Sequence, residues 1–284
     1  MLSTLAFVIW QTYKIPYDMI ETIVLLGAGN VASNLGKAFL KAGKEIVQVY
    51  SRTQDSASCL AGKLGCPYTT RIESLYPGAD LYIISVTDTA IDEIIKKIPF
   101  TDILLAHTSG SVDIKALKKN NIRPAVIYPL QTFSKDVEVD FEDVPLFLEA
   151  GNEKDLELLE SLAGLLSSKV SSIDSKQRMV LHIAAVFACN FTNHMFYIAE
   201  DLLKQNKMEF QTLKPLINET IRKALLVGPF KAQTGPAVRN DKFILKLHDE
   251  MLSAFGDYRK FYNFITDSII AKHAGLRLKR VCRK

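Results

Sequence analysis

A glycine-rich turn near residue 27 carries the residues best suited to chemistry in this sequence. Gly27, Gly29 and Ala32 have the spacing G-x-G-x-x-A and lie between a short apolar run and an amphipathic stretch. In such a turn the first glycine permits a tight bend, the second lets the backbone approach a pyrophosphate, and the alanine lets the helix pack on the strand. The free N–H groups at the start of that helix attract phosphate. We therefore expect a dinucleotide to be bound by Gly27, Ala28, Gly29, Asn30 and Val31. The alternative is a turn in a fold that has lost its nucleotide.

The end of the second expected strand indicates which dinucleotide would bind. An NAD site places an acidic residue there to hold the ribose 2′-hydroxyl, whereas this sequence has Ser51, Arg52 and Thr53. A guanidinium flanked by hydroxyls suits a dianionic 2′-phosphate, so we expect these three residues to select NADP. Alternatively, Arg52 is an exposed loop residue, and Thr53 or Asp55 merely caps the next helix.

Two further expected strands end in residues that belong to the same edge of a parallel sheet. Val86 and Thr87 follow one strand, and His107 and Ser109 end the next. Ligands of doubly wound sheets lie beyond the carboxyl ends of the strands. We expect Val86, Thr87 and Ser109 to contact the cofactor, whereas we expect His107 to be satisfied by backbone groups rather than to be catalytic.

Four polar residues interrupt an apolar helical stretch in the second half of the chain, namely His182, Cys189, Asn190 and Asn193. In an α-helix Cys189 and Asn193 would lie within about 20° of His182, with Asn190 about 80° to one side. A buried polar stripe needs internal partners or a ligand. Hydride transfer to a carbonyl or imine needs a proton donor, so His182 is the candidate donor and Asn190 the candidate for orienting a substrate. The alternative is a histidine that is hydrogen-bonded within a core or a dimer interface.

A loop near residue 235 supplies a further candidate for substrate binding. Arg239 is placed to bind a substrate carboxylate or phosphate, or the loop simply begins a helix that Asn240 or Asp241 caps. The sequence contains no Ser-His-Asp arrangement, P-loop or metal-ligand set that competes with these sites.

The elements that must position these residues follow from hydrophobic periodicity. Short apolar runs alternate with amphipathic stretches from residue 20 to about residue 173, which indicates a parallel sheet covered by helices on both faces. The expected strands span residues 22–26, 46–50, 81–85, 103–107, 125–128, 146–149 and 170–173. The expected helices of this part span residues 31–41, 56–64, 89–97, 114–118 and 153–166.

The strand signals vanish after about residue 174. One long apolar helix is expected over Ser175–Gln205, followed by helices at 211–226, 241–255 and 256–274. The expected fold class is therefore α/β, a doubly wound Rossmann sheet followed by an all-α C-terminal domain. We expect three segments: an N-terminal extension at 1–18, an NADP-binding domain at 19–173, and a helical substrate and dimerisation domain at 174–284.

Composition narrows the class of protein further. Hydrophobic residues make up 48% and charged residues 23%, so the chain can bury a core. The net charge is only +4, and six cations are concentrated at the C-terminus, so no nucleic-acid face is expected. These six are Lys272, Arg277, Lys279, Arg280, Arg283 and Lys284. The four cysteines form no C-x-x-C pair, which fits a reducing, cytoplasmic location and no bound metal. The apolar segment 2–10 is short for a membrane span, so no membrane partner is expected.

These residues carry a resemblance to known families. The glycine turn together with Ser51, Arg52 and Thr53 resembles pyrroline-5-carboxylate reductases, deazaflavin-dependent NADP reductases and β-hydroxyacid dehydrogenases. Residues 128–133, 182–191 and 234–241 are similar to a family of NADP oxidoreductases that join a Rossmann-like domain to a helical C-terminal domain of unknown function. These three stretches read YPLQTF, HIAAVFACNF and TGPAVRND. The resemblance covers roughly residues 20 to 265.

The resemblance implies NADP-dependent redox chemistry, with Gln131 of the first stretch as a substrate-binding residue. Tyr128 departs from the family, which is expected to have histidine at that position. The related β-hydroxyacid dehydrogenases use a lysine and an asparagine one turn apart on the equivalent helix. The stripe around His182 contains no such pair, so that mechanism does not transfer to this chain.

Together these observations predict an NADP(H)-dependent oxidoreductase. A hydride would pass between nicotinamide and a small carbonyl, imine or hydroxy-acid substrate in the cleft between two domains, and the helical domains would form a homodimer. Three alternatives stay open: a non-catalytic NADP-binding regulatory protein, a deazaflavin-linked NADP reductase, and a structural protein whose Rossmann domain binds no dinucleotide.

Overall fold

The computed structural model describes residues 19–118, 121–135, 137 and 139–281, with side chains described as far as residue 274. The expected N-terminal extension, residues 1–18, lies outside the described residues. The chain divides into two compact units, of which the first ends at Asn190 and the second begins at Phe191. The expected domain boundary after residue 173 coincides with the end of the last strand. As a boundary between domains it stays a prediction.

The first unit is built on one eight-stranded sheet with the order β3-β2-β1-β4-β5-β6-β7-β8. The strands are β1 (Thr22–Leu26), β2 (Glu45–Tyr50), β3 (Tyr68–Thr69), β4 (Leu81–Ile84), β5 (Leu104–His107), β6 (Arg123–Pro129), β7 (Leu146–Ala150) and β8 (Val170–Ser172). The chain first adds β2 and β3 on one side of β1, and then returns to add β4 on the other side. The carboxyl ends of β1 and β4 therefore flank a topological switch point, where such sheets bind ligands.

The sheet confirms the expected fold class but is not wholly parallel. The strand pairs from β3 through β6 are parallel, whereas β7 runs antiparallel to β6, and β8 is parallel to β7. The expectation of a parallel sheet was wrong at this one pairing. A buried apolar strand has the same sequence pattern in either direction, because direction depends on the path of the connection.

Helices cover both faces of the sheet because alternate residues of each strand point to opposite sides. Ile23 and Leu25 of β1 pack with the cluster that contains α1 (Asn30–Lys41), α2 (Gln54–Leu64) and α4 (Glu153–Gly164). Val24 and Leu26 pack with the cluster that contains α3 (Asp88–Lys97). The expected helix at 114–118 is a 3-10 turn over Ile114–Leu117. The short strand β3 carried no clear sequence signal.

The long helix expected over Ser175–Gln205 is a run of three segments. It comprises α5 (Ser175–Ala185), a π-helical segment (Val186–Phe191) and α6 (Thr192–Gln205). Asp174 starts the run with a capping box, in which its side chain accepts from the N–H of Gln177 at 2.7 Å and the Gln177 side chain accepts from the N–H of Asp174 at 3.0 Å. The π segment takes more residues per turn than an α-helix, so the angles expected between His182 and the later polar residues do not hold.

The second unit is all-helical, as expected. Its further helices are α7 (Lys214–Val227), α8 (Pro229–Ala232), α9 (Pro236–Arg239), α10 (Lys242–Met251) and α11 (Gly256–Val281). The helix expected at 241–255 ends at Met251, where a 3-10 turn over Leu252–Ala254 follows. Within the described part of this unit only Ala237, Thr266 and His273 are buried.

The run Ser175–Gln205 is long and apolar enough, by length and composition alone, to cross a membrane. Core helices of proteins without membrane spans pass the same test, so this finding is weak evidence for a membrane span. Several of its apolar side chains are exposed, among them Val180, Ile183 and Phe187.

Candidate functional site

Gly27 forms the tight turn that follows β1. Its backbone has φ +131°, and a Cβ at this position would lie 2.1 Å from the carbonyl oxygen of Ser85 at the end of β4. The N–H of Gly27 donates to the carbonyl of Tyr50 at the end of β2, at 2.8 Å. The close approach of three strand ends therefore requires glycine here.

Gly29 differs from Gly27 because no neighbouring atom of the described residues lies close to it, so packing within the protein does not require glycine here. It is the N-cap of α1, and a Cβ built there would come no closer than 4.0 Å to Ser85. No side chain among the described residues caps α1, and the described first turn holds no acidic residue. The open space at Gly29 and the N–H groups of the first helical turn fit a pyrophosphate.

A groove of about 590 Å³ extends from this turn across the carboxyl ends of the strands. All of the expected cofactor residues except Ser109 line it, namely Gly27, Ala28, Gly29, Asn30, Val31, Ser51, Arg52, Thr53, Val86 and Thr87. The structure therefore brings together expected residues from three separate sequence segments, 27–31, 51–53 and 86–87. Ser85, Thr108 and Lys135 also line the groove. Thr108 belongs to the strand end that was expected to reach the nicotinamide side, whereas Ser85 and Lys135 were not expected from the sequence.

Lys135 reaches the groove because the segment before it is fastened to α1. The side-chain amide of Asn30 donates to the carbonyl of Phe133 at 2.8 Å, and that of Asn34 donates to the carbonyl of Ser134 at 3.0 Å. These bonds hold a long loop against the start of α1 and add a second cation to the groove. No local motif marks this lysine, although it closely follows the YPLQTF stretch.

Within the described part of the chain, the side chains of Ser51, Arg52 and Thr53 remain available for a ligand. Thr53 is the N-cap of α2, yet its side chain makes no capping hydrogen bond in the described structure, so the capping alternative does not account for its hydroxyl. Arg52 is exposed in the groove, as is Glu93. Lys97 lies 2.7 Å from the Glu93 carboxylate and, with a smaller effect from Arg52, lowers the pKa of Glu93. That ion pair offsets the negative charge that Glu93 brings near Arg52.

His107 and Ser109 are engaged in local structure. His107 is fully buried, and its Nδ1 accepts from the N–H of Ser109 at 3.1 Å, as the non-catalytic interpretation expected. The Ser109 Oγ accepts from the N–H groups of Ser111 and Val112, each at 3.0 Å. Ser109 therefore stabilises the turn after β5 and does not line the groove.

The two candidate catalytic residues both lie in the first unit. His182 of α5 is partly exposed, and its Nδ1 is 3.0 Å from the Oη of Tyr128 in β6. Asn190 is exposed within the π-helical segment. The sequence marked Tyr128 only as a departure from the family pattern, and the structure shows that it contacts His182.

The two candidate substrate-binding residues lie in different units. Gln131, in the first unit, is exposed, and its side-chain oxygen accepts from the N–H of Thr132 at 2.8 Å. Arg239, in the second unit, is exposed at the end of α9. Asp241 caps α10, accepting from the N–H of Ile244 at 3.3 Å, which confirms the capping role expected for this loop. Within the part of the chain that the structure describes, no three metal-ligating side chains cluster.

The switch point, the glycine turn and the groove define a dinucleotide-binding protein of the Rossmann class. A family model described as "NADP oxidoreductase coenzyme F420-dependent" matches residues 22–108, and one described as a domain of unknown function, DUF2520, matches residues 144–269. The structure titled "putative NADP oxidoreductase BF3122 from Bacteroides fragilis" is 43% identical, with a TM-score of 0.84 over 88% of this chain and 98% of that chain. The chain therefore belongs to this NADP oxidoreductase family, as its sequence motifs predicted.

More distant structures share the fold. An imine reductase from Myxococcus stipitatus, solved in complex with NADP+, is 16% identical with a TM-score of 0.61, covering 90% of this chain and 94% of that chain. A pyrroline-5-carboxylate reductase from Coxiella burnetii is 16% identical with a TM-score of 0.52, covering 90% of this chain and 98% of that chain. No curated protein sequence matches the chain.

Proposed function

We propose that this chain is an NADP(H)-dependent oxidoreductase that acts on a small carbonyl, imine or hydroxy-acid substrate. The observation that carries the proposal is the groove, where the open space at Gly29 and the guanidinium of Arg52 share one surface. Bound NADPH would supply the hydride, or NADP+ would accept it. The chain would hold the pyrophosphate at the start of α1 and the adenosine ribose near Ser51 and Thr53.

The preference for NADP over NAD rests on charge. Arg52 and Lys135 both line the groove, and so do Ser51 and Thr53, the neighbours of Arg52 in the sequence. A 2′-phosphate carries close to two negative charges, which cations and hydroxyl donors stabilise. NADH lacks that phosphate and would bring no anion to Arg52.

The remaining assignments are part of the same proposal. His182 would donate the proton, Asn190 would orient the substrate, and Gln131 and Arg239 would bind it. The protein would act in the cytoplasm as a homodimer formed through its helical unit. The relatives named as imine reductase and pyrroline-5-carboxylate reductase support an imine among the candidate substrates.

A fluorescence titration of the purified protein with NADPH and NADH tests the cofactor proposal. The wild-type protein should bind NADPH more tightly, and Arg52→Ala should weaken NADPH binding by about 10- to 100-fold because it removes charge-assisted hydrogen bonds. NADH affinity should change little. Arg222→Ala, at an exposed arginine of α7 outside the groove, is the matched control and should leave NADPH binding unchanged. Tighter binding of NADH, or no effect of Arg52→Ala, would contradict the proposal.

Coenzyme F420 is a second candidate redox partner, because the family model that matches residues 22–108 is described as F420-dependent. Incubation of the protein with NADPH and oxidised F420 tests it. Loss of the absorbance of oxidised F420 would favour this candidate, and its persistence while an imine or carbonyl is reduced would reject it.

A further inference from the structure

Tyr128 and His182 form a hydrogen-bonded pair at the carboxyl side of the sheet. Tyr128 lies one residue before the end of β6, and its Oη is 3.0 Å from Nδ1 of His182. The two rings meet edge to face, with centroids 6.0 Å apart and an interplanar angle of 74°. Tyr128 is only 8% exposed, whereas His182 keeps partial access to solvent.

The imidazole of His182 also rests on the backbone of Gly110. A Cβ at Gly110 would lie 2.6 Å from both Cγ and Nδ1 of His182, so any larger residue would displace the ring. Gly110 follows β5 by three residues and comes two residues after Thr108, which lines the groove. The ring is therefore held by Tyr128 near the end of β6 and by Gly110 in the turn after β5. The same turn carries Thr108, which borders the proposed cofactor site.

This arrangement leaves one ring nitrogen of His182 for chemistry. Nδ1 is engaged by Tyr128, so Nε2 is the ring nitrogen that is left to bond a ligand. Burial raises the pKa of Tyr128, so its hydroxyl stays protonated near neutral pH. A neutral hydroxyl can accept from Nδ1–H without taking its proton, which fixes the ring orientation.

We infer that Tyr128 and His182 act as a dyad, in which His182 donates the proton to the substrate and Tyr128 is its positioning residue. This inference rests on the proposed function. As the carbon of an imine or carbonyl accepts the hydride that NADPH supplies, the π electron pair moves to the nitrogen or oxygen. That heteroatom takes the Nε2 proton of the doubly protonated imidazole. His182 becomes neutral, keeps Nδ1–H bonded to Tyr128, and regains a proton from solvent.

Three variants separate the parts of this dyad. Tyr128→Phe removes the hydroxyl and keeps the ring, and Tyr128→His restores a hydrogen-bonding group with the residue expected in the family. His182→Gln removes the proton donor. Tyr76→Phe makes the same chemical change at an exposed tyrosine outside the groove and serves as the matched control.

The first measurement is independent of turnover. Nitrogen-15 spectra of the histidine rings, with His182 assigned by its loss in His182→Gln, report which ring nitrogen carries the proton. Tyr128→Phe should change the Nδ1 shift and the tautomer of His182, and the control should not. Unchanged His182 signals in Tyr128→Phe would overturn the dyad.

The second measurement is steady-state oxidation of NADPH with 2-methyl-1-pyrroline as an imine and benzaldehyde as a carbonyl. His182→Gln should lower kcat by about 100-fold or more, since a general acid contributes on that scale. Tyr128→Phe should lower kcat by about tenfold, the effect of one lost hydrogen bond, with KM for NADPH unchanged. Tyr128→His should recover most of that loss.

The outcomes distinguish this inference from the proposed function. If the wild-type protein fails to bind NADPH, the proposed function itself fails. If it binds NADPH but reduces neither probe, or if kcat of Tyr128→Phe equals that of the wild-type protein, the dyad is overturned while cofactor binding stands.

Discussion

His107 is a buried histidine whose two ring nitrogens have unequal surroundings. Its Nδ1 accepts from the N–H of Ser109, whereas its Nε2 has no hydrogen-bond partner among the described residues. Burial, with a smaller contribution from the charge of Arg178, lowers the pKa of His107 to about 4. The folded protein therefore holds this ring in its neutral form down to mildly acidic pH.

This pKa predicts that acid destabilises the protein through His107. The unfolded chain takes up a proton near the ordinary histidine pKa of 6.5, and the folded chain does so only near pH 4. The free energy of unfolding should fall as pH drops from about 6.5 to about 4, by about 3 kcal/mol from this residue alone. Urea denaturation at several pH values measures it, and His107→Gln should flatten the curve in this window. A variant with the same pH dependence as the wild-type protein would contradict the prediction.

Residues that act through local geometry could be predicted from the sequence, and those brought in by long-range folding could not. Gly27 and Arg52 each lie in a short sequence pattern. The strand before each pattern and the helix after it are adjacent to it in the chain. Lys135 lies at the groove because Asn30 and Asn34 bind the carbonyls of Phe133 and Ser134, about a hundred residues away. The contact between Tyr128 and His182 likewise joins a strand to a distant helix.

At the scale of elements, the capping box at Asp174 fixes where the long helical run begins. Its side chain satisfies one N–H of the first turn, and Gln177 returns a bond to the N–H of Asp174. The same turn carries Arg178, whose buried guanidinium pairs with Glu149 of β7 and donates to the carbonyl of Val112 at 2.5 Å. The cap thus fixes where α5 begins, and this start places Arg178 where it can pair with Glu149.

We predict that Asp174→Ala lowers the free energy of unfolding by about 1 kcal/mol, because an N–H of the first helical turn loses its partner. Asp174→Asn should retain most of the stability, since asparagine is an equally good N-cap. Asp92→Ala, at an exposed carboxylate of α3 that pairs with Lys96, is the control and should change stability by less than about 0.5 kcal/mol. Urea denaturation at neutral pH compares the three. Equal losses in Asp174→Ala and Asp174→Asn would reject the capping explanation.

The helices and most strands follow from periodicity because each pattern reports which face is buried. Two features escape it. The π-helical segment Val186–Phe191 has no distinct hydrophobic signature, since it differs from an α-helix by its hydrogen-bond spacing. The direction of β7 depends on the connection from β6 rather than on its own residues.

At the scale of the whole molecule, the helical unit exposes many large apolar side chains. Leu225 and Leu226 of α7 are 83% and 69% exposed, and Phe243 and Phe264 are similarly open. Monomeric proteins rarely expose large apolar side chains in such number. A second copy of the chain would bury this surface, as the homodimer proposal holds.

We predict that the wild-type protein elutes as a dimer in size-exclusion chromatography with light-scattering detection. Leu225→Glu should shift it towards monomer because it places a charge in the apolar surface. Leu165→Glu, at an exposed leucine of the first unit, is the matched control and should leave the dimer intact. A monomeric wild-type protein at micromolar concentration, or equal effects of both variants, would contradict the proposal.

The two outermost strands of the sheet determine how easily a strand from another chain can add to its edges. β3 has two residues and β8 has three, so each edge offers few unpaired backbone groups. Short edges are one way in which proteins prevent an extra strand from adding to a sheet and starting an aggregate. Fibril growth by strand addition is therefore disfavoured at both ends of this sheet.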